Sequence, residues 1–154
     1  MESAKYTFLV VDDEELMRYL IASYLSKLGH SCFTATDGVD ALEKMKKNKI
    51  DAVITDMRMD NTDGITLINQ ISKKYPEVPI MVMTAFDKEH SEGTAISIGA
   101  REFIKKPFSL DEFAVRLRKM INDSEMIKRM KKEKNTDANL QDLMNELEKT
   151  LKDS

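Results

Sequence analysis

Short apolar runs alternate with longer amphipathic stretches along this chain. The runs Thr7–Val11, Ser31–Thr36, Ala52–Thr55, Ile80–Thr84 and Glu102–Ile104 have the length of strands, and several, such as AVIT and IMVMT, have no polar face. Strands that read this way are covered by helices on both sides. Helical spacing fills the gaps between them. Leu16, Tyr19, Leu20, Ser23, Tyr24 and Leu28 form one stripe, closed by Gly29, and Val39, Leu42 and Met45 form a second behind Asp37 as N-cap. Ile65, Leu67, Ile68 and Ile71 form a third before Pro76, and Lys88–Ile98 is a weaker helix ending at Gly99. Leu110, Phe113, Leu117, Met120 and Ile121 form the last, opened by a capping box of Ser109 and Glu112.

Five βα units in a row, joined by short loops and right-handed crossovers, make a doubly wound α/β fold. The expected sheet is parallel and five-stranded in the flavodoxin-like order 2-1-3-4-5, which places ligands beyond the carboxyl ends of the strands. After residue 122 the pattern changes. Residues 123–154 have no glycine, proline, aromatic residue or strand signal and read as a helical extension to a domain over 1–122. Asn135–Asn139 is its weak point, with Thr136 or Asp137 as cap of a second segment. Leu140, Met144, Leu147 and Leu151 then recur at spacings of four, three and four, a short coiled-coil seam.

Composition narrows the class. The chain has 154 residues, 42% apolar and 33% charged, with a net charge of −3. That gives one core and no global attraction to nucleic acid or anionic membrane. A single cysteine, Cys32, excludes an intrachain disulfide and fits a reducing, cytoplasmic setting. No apolar run has the length of a membrane span or of a signal peptide's core. The basic run KRMKKEK reads as a solvated helix face, and His30 and His90 as surface or loop residues without metal-ligand pairing.

The strand ends carry the chemistry. The first strand runs into Asp12 and Asp13, the third into Asp56, the fourth into Thr84, and the fifth into Lys106-Pro107. In the expected order these groups converge on one shallow pocket. Three carboxylates there repel unless a cation sits among them. Hard oxygen ligands favour Mg²⁺, which keeps waters and a phosphate oxygen in its coordination sphere. A carboxylate ringed by a metal, an ammonium and a hydroxyl suits phosphoryl transfer, with the carboxylate attacking phosphorus.

An acidic pair after the first strand, Asp at the end of the third, Thr at the end of the fourth and Lys-Pro after the fifth resemble the receiver domain of bacterial two-component response regulators. The segments TDMRM…DG around Asp56 and GAREFIKKPF before the last helix add to the likeness, which spans roughly Lys5 to Asn122. The resemblance implies that Asp56 accepts a phosphoryl group from the phosphohistidine of a sensor histidine kinase or phosphotransfer protein. It implies Asp12, Asp13, Asp56 and the backbone carbonyl of Arg58 as magnesium ligands, with Asp13 the preferred direct one of the pair. Lys106 is expected to contact the phosphoryl group, Thr84 to move toward it and Phe103 to rotate inward in concert. The Lys106-Pro107 peptide is expected to be cis. The chain departs from the family at Asp60 and Thr62, where a proline and an apolar residue are usual; this bears on the loop and the metal affinity and leaves Asp56 in place.

The expected function is therefore a phosphorylation switch acting by protein–protein contact on a downstream protein. It is not an enzyme beyond autocatalytic phosphorylation and dephosphorylation of its own aspartate. Neither membrane nor nucleic acid is expected as partner, and the tail shows no DNA-binding output domain. A homodimer would form through 140–151, or through the face of the Lys88–Ile98 helix, the fifth strand and the last helix. Two variants stay open: the receiver piece of a larger regulator, and a phosphorelay intermediate. An aspartate-nucleophile phosphohydrolase would want Asp-x-Asp on the first strand, where this chain has an adjacent pair. A flavin or nucleotide module would want a phosphate-cradling loop, where this chain has DDEELMR.

Overall fold

The computed structural model describes residues 5–57, 64–85 and 99–153. Five parallel strands, β1 (Thr7–Val11), β2 (Ser31–Ala35), β3 (Ala52–Asp56), β4 (Ile80–Ala85) and β5 (Glu102–Lys106), form one sheet in the order β2-β1-β3-β4-β5. The described helices are α1 (Glu15–Lys27), α2 (Gly38–Lys47), α3 (Gly64–Lys74) and α4 (Leu110–Asp153). The helical stretch read at Lys88–Ile98 lies outside the described residues. The chain divides into two compact units, residues 1–120 and 121–154. Among the described residues no helix is long and apolar enough to cross a membrane.

Strand alternation builds two cores in the first unit. Leu9, Val11, Val53, Ile80 and Val82 pack with Ala41 and Met45 of α2 and with Leu67, Ile68 and Ile71 of α3. The opposite side chains Phe8, Val10, Ile54, Met81, Met83 and Ile104 are fully buried too, as are Leu25 of α1 and Phe113 and Met120 of α4. On that side the Tyr24 ring meets Phe113 edge-on at 5.9 Å, and Phe113 stacks on Phe108 at 5.8 Å. Glu102, at the start of β5, is buried and held by Arg116 at 3.0 Å and Lys119 at 3.7 Å, which ties α4 to the sheet edge.

The caps at Asp37 and Ser109 form as expected. The Asp40 amide donates to Asp37 Oδ1 at 2.9 Å and the Glu112 amide to Ser109 Oγ at 3.1 Å. Gly29, at φ 91, follows α1 in the left-handed conformation that favours glycine.

Three sequence expectations are corrected. In α1 the stripe Leu16, Tyr19, Leu20 and Leu28 faces solvent, each residue about half exposed or more, and Ile21 and Leu25 are buried. The helix is apolar on more than one side, so a second stripe four residues apart competes with the first. In α2 Val39 is 70% exposed and the buried residues are Gly38, Ala41 and Met45. The break at Asn135–Asn139 does not occur, because α4 runs unbroken from Leu110 to Asp153. Asn, Thr and Asp each cost only a few tenths of a kcal/mol relative to alanine in a helix, and the segment has neither proline nor glycine.

His30, read as a surface or loop residue, lies in the loop before β2 and is half-buried. Its Nδ1 accepts the Tyr6 amide at 3.0 Å, and its ring lies edge-on to Phe8 at 5.1 Å. Burial lowers its pKa below the ordinary 6.5. The neutral ring's stabilising contribution is present above pH 6.5 and is lost as pH falls through the folded-state value, because the protonated ring can no longer accept from Tyr6. Unfolding stability between pH 7 and pH 5 should therefore fall more steeply in the wild type than in His30→Asn, whose carbonyl oxygen can accept the same amide without titrating. Equal slopes in denaturant titrations would remove the assignment.

Candidate functional site

The register brings the strand ends together. Val11 lies opposite Thr55, Asp56 opposite Met83, and Ala85 opposite Lys106, so the residues that follow β1 sit beside the end of β3. Asp12, Asp13 and Asp56 each offer a carboxylate oxygen within 4.8 Å of the others. Asp12 is fully buried, Asp56 is 6% exposed, and Asp13 is exposed at the rim. Lys106 reaches in from the end of β5, with Nζ 3.1 Å from Asp12 Oδ2 and 3.0 Å from Asp56 Oδ2. Burial pulls the Lys106 pKa down, but the hydrogen bond and charge of Asp56, joined by those of Asp12, outweigh it and hold the ammonium above its ordinary value.

The surrounding backbone fixes this cluster. The Asp12 amide donates to the Ala35 carbonyl at 3.1 Å, and Asp12 Oδ1 accepts the Glu14 amide at 2.9 Å. Arg18, on α1, donates from Nη1 to the Asp12 carbonyl at 2.8 Å. Gly64 opens α3 hard against the end of β3, its amide donating to the Met57 carbonyl at 3.0 Å. In the sequence Arg18 reads as an ordinary helix cation, and Gly64 appears only as the last residue of the TDMRM…DG segment.

Thr84 is buried one residue before the end of β4, and Phe103 is buried in β5 opposite Val82. The Lys106-Pro107 peptide is cis. Beside Lys106, an apolar cleft of about 550 Å³ lies between Met17, Leu20 and Ile21 of α1 and Pro107, Phe108 and Leu110. Arg58, Asp60, Thr62 and His90 lie outside the described residues.

The donor set suits a hard dication. It consists of carboxylate oxygens alone, three of them converging from two strand ends, with the Lys106 ammonium against two of them. A parallel doubly wound fold with such a pocket at the carboxyl edge, next to the strand-order switch between β1 and β3, belongs to the α/β proteins that work on ligands at that edge. A family profile described as the response regulator receiver domain matches residues 8–118. This chain belongs to that family.

Relatives agree. Response regulator MprA of Mycobacterium sp. (strain KMS) is 35% identical over 113 residues, covering 73% of this chain and 49% of that protein. The alkaline phosphatase synthesis transcriptional regulatory protein PhoP of Bacillus subtilis is 34% identical over 118 residues, covering 77% of this chain and 49% of that protein. The crystal structure of NtrX from Brucella abortus superposes with a TM-score of 0.79 at 30% identity, covering 82% of this chain and 29% of that one. The chain thus spans about half the length of the curated relatives it matches.

Proposed function

We propose that Asp56 takes a phosphoryl group from the phosphohistidine of a sensor histidine kinase or a phosphotransfer protein, and that the chain then signals by protein–protein contact. The observation that carries this reading is the Lys106 ammonium held between Asp12 and Asp56, with three carboxylates converging around it. An Asp56 carboxylate oxygen attacks phosphorus, the bond from phosphorus to the imidazole nitrogen breaks, and the imidazole leaves with the electron pair. Asp56 becomes an acyl phosphate. Lys106 is already at hydrogen-bonding distance from Asp56 and neutralises the phosphoryl oxygens as charge gathers there. Asp12, Asp13 and Asp56, with the backbone carbonyl of Arg58, would hold a magnesium ion. Such an ion supplies charge neutralisation at the phosphoryl oxygens.

Thr84, one strand over, donates its hydroxyl to the modified side chain, and Phe103 repacks with it, which biases the face they share toward a second conformation. The reaction modifies the chain's own side chain and turns over no external substrate. The apolar cleft reaching Lys106 offers a seat for a macromolecular donor beside the nucleophile. The half-length match to MprA and PhoP supports a second reading of the same chemistry, in which this receiver is one portion of a longer regulator acting on a downstream target. A cytoplasmic setting goes with either.

Incubation with acetyl phosphate and Mg²⁺, read by intact mass, tests the assignment. The wild type gains one phosphoryl group and Asp56→Asn gains none. Labelling of Asp56→Asn to the wild-type extent would move the acceptor elsewhere, and an unlabelled wild type would end the reading.

A further inference from the structure

Beyond Met120, α4 continues as a helix that displays apolar side chains to solvent. Met126, Met130, Leu140, Met144, Leu147 and Leu151 are 54%, 61%, 54%, 57%, 63% and 67% exposed. They fall on the alternating core positions of one heptad register, in which Glu133 and residue 137 occupy the two intervening places. A helix standing alone in water is marginal, and most helical stability in proteins comes from covering an apolar face. Something is needed to cover this one.

The charge pattern says what. Lys128 to Lys134 holds five cations and one carboxylate, whereas Asp137 to Glu148 holds four carboxylates and no cation. The helix is therefore basic in one half and acidic in the next. Two copies side by side in the same direction would set Arg129 beside Lys134 of the other copy along the edge of the seam, and Glu133 against its own copy inside it. Like charges so placed are destabilising. Reversing one copy removes each of these conflicts. Met130 then lies across from Leu147 and Met126 across from Leu151, and Lys134, which flanks the seam, comes beside Glu148 of the other copy.

We propose that the helix after Met120 pairs antiparallel with the same helix of a second copy of this chain, its apolar stripe forming the seam and its oppositely charged halves setting the direction. The pairing uses no residue of the acidic pocket, so it stands or falls separately from phosphoryl transfer at Asp56. Because part of the attraction is between exposed charges, added salt weakens the dimer.

Light scattering on the full chain, combined with cysteine cross-linking in a Cys32→Ser background, decides it. The expected mass is twice 17.7 kDa, returning to the monomer in a Leu140→Glu, Leu147→Glu double variant whose far-UV circular dichroism and thermal unfolding show an intact receiver. A mixture of Met130→Cys chains and Leu147→Cys chains should oxidise to a disulfide-linked heterodimer. Met130→Cys alone should stay unlinked, since in the antiparallel pair its two copies are separated by 17 residues of helix, about 25 Å. A monomer at all concentrations, an unlinked mixture, or ready self-linking of Met130→Cys, which marks a parallel pair, would each overturn the proposal.

Discussion

With Lys106 replaced by methionine, phosphoryl uptake at Asp56 should fall on the order of 10²-fold or more, and the fold should lose about 3–5 kcal/mol in metal-free buffer. Methionine keeps the length and most of the volume of lysine and removes only the ammonium. The Asp12 side chain has no exposed area, that of Asp56 is 9% exposed, and that of Lys106 is 15% exposed, so the contacts at 3.1 and 3.0 Å are made largely out of water. Taking one partner from a buried pair leaves the other charge uncompensated, which costs more than the pair contributes net. Here two buried carboxylates remain, with Asp13 at the rim adding to their repulsion.

The two losses separate on adding Mg²⁺. A dication bound only by the folded state stabilises it by mass action, so part of the lost stability should return in urea titrations. Uptake from acetyl phosphate should stay low, because the ammonium next to the attacked phosphoryl group is still missing. Unchanged stability in metal-free buffer would mean that the carboxylates do not depend on Lys106. Wild-type uptake would remove its role in the chemistry.

Much of this pocket is legible in the sequence, and the reason is topological. A run apolar on both faces stops at its first charged residues, at the edge of the sheet where ligands are met. Asp12 and Asp56 close such runs directly and Lys106 closes one after Lys105, and once the sheet order is inferred their adjacency follows. Local capping is legible for the same kind of reason, since Asp37 and Ser109 act within three residues of themselves. Which face of α1 meets the sheet is not legible. Leu16 and Leu20 are as apolar as Ile21 and Leu25, and only packing against the sheet selects the second pair. Arg18 is hidden for a related reason. Its contact is to the carbonyl of Asp12, a backbone atom whose position no side-chain pattern records.

The length of α4 shows the opposite limit. Weak helix formers at Asn135–Asn139 look like a boundary when weighed one at a time. Inside a helix already nucleated on both sides, their summed cost is too small to break it.

Gly64→Ala should destabilise the protein by about 3 kcal/mol, the upper end of what one added methyl group costs in a filled space, and should disturb Asp56 with it. A Cβ at position 64 would lie 2.5 Å from the Met57 carbonyl oxygen, 2.6 Å from the Asp56 carbonyl oxygen and 2.8 Å from the Met57 carbonyl carbon. All three are backbone atoms, so no side chain can swing aside. Relief requires either that α3 withdraw from the sheet, loosening Leu67, Ile68 and Ile71, or that the end of β3 move. The second route shifts the peptide that carries the Asp56 side chain, and a displacement of about 1 Å in a reacting group can cost 10²-fold in rate. Denaturant unfolding and phosphoryl uptake should therefore fall together in this variant, although position 64 carries no functional group. Addition of Mg²⁺ should restore little of either, unlike in Lys106→Met, because the conflict is steric. A fully stable, fully active Gly64→Ala protein would show that the contact between α3 and the end of β3 is looser than these distances require.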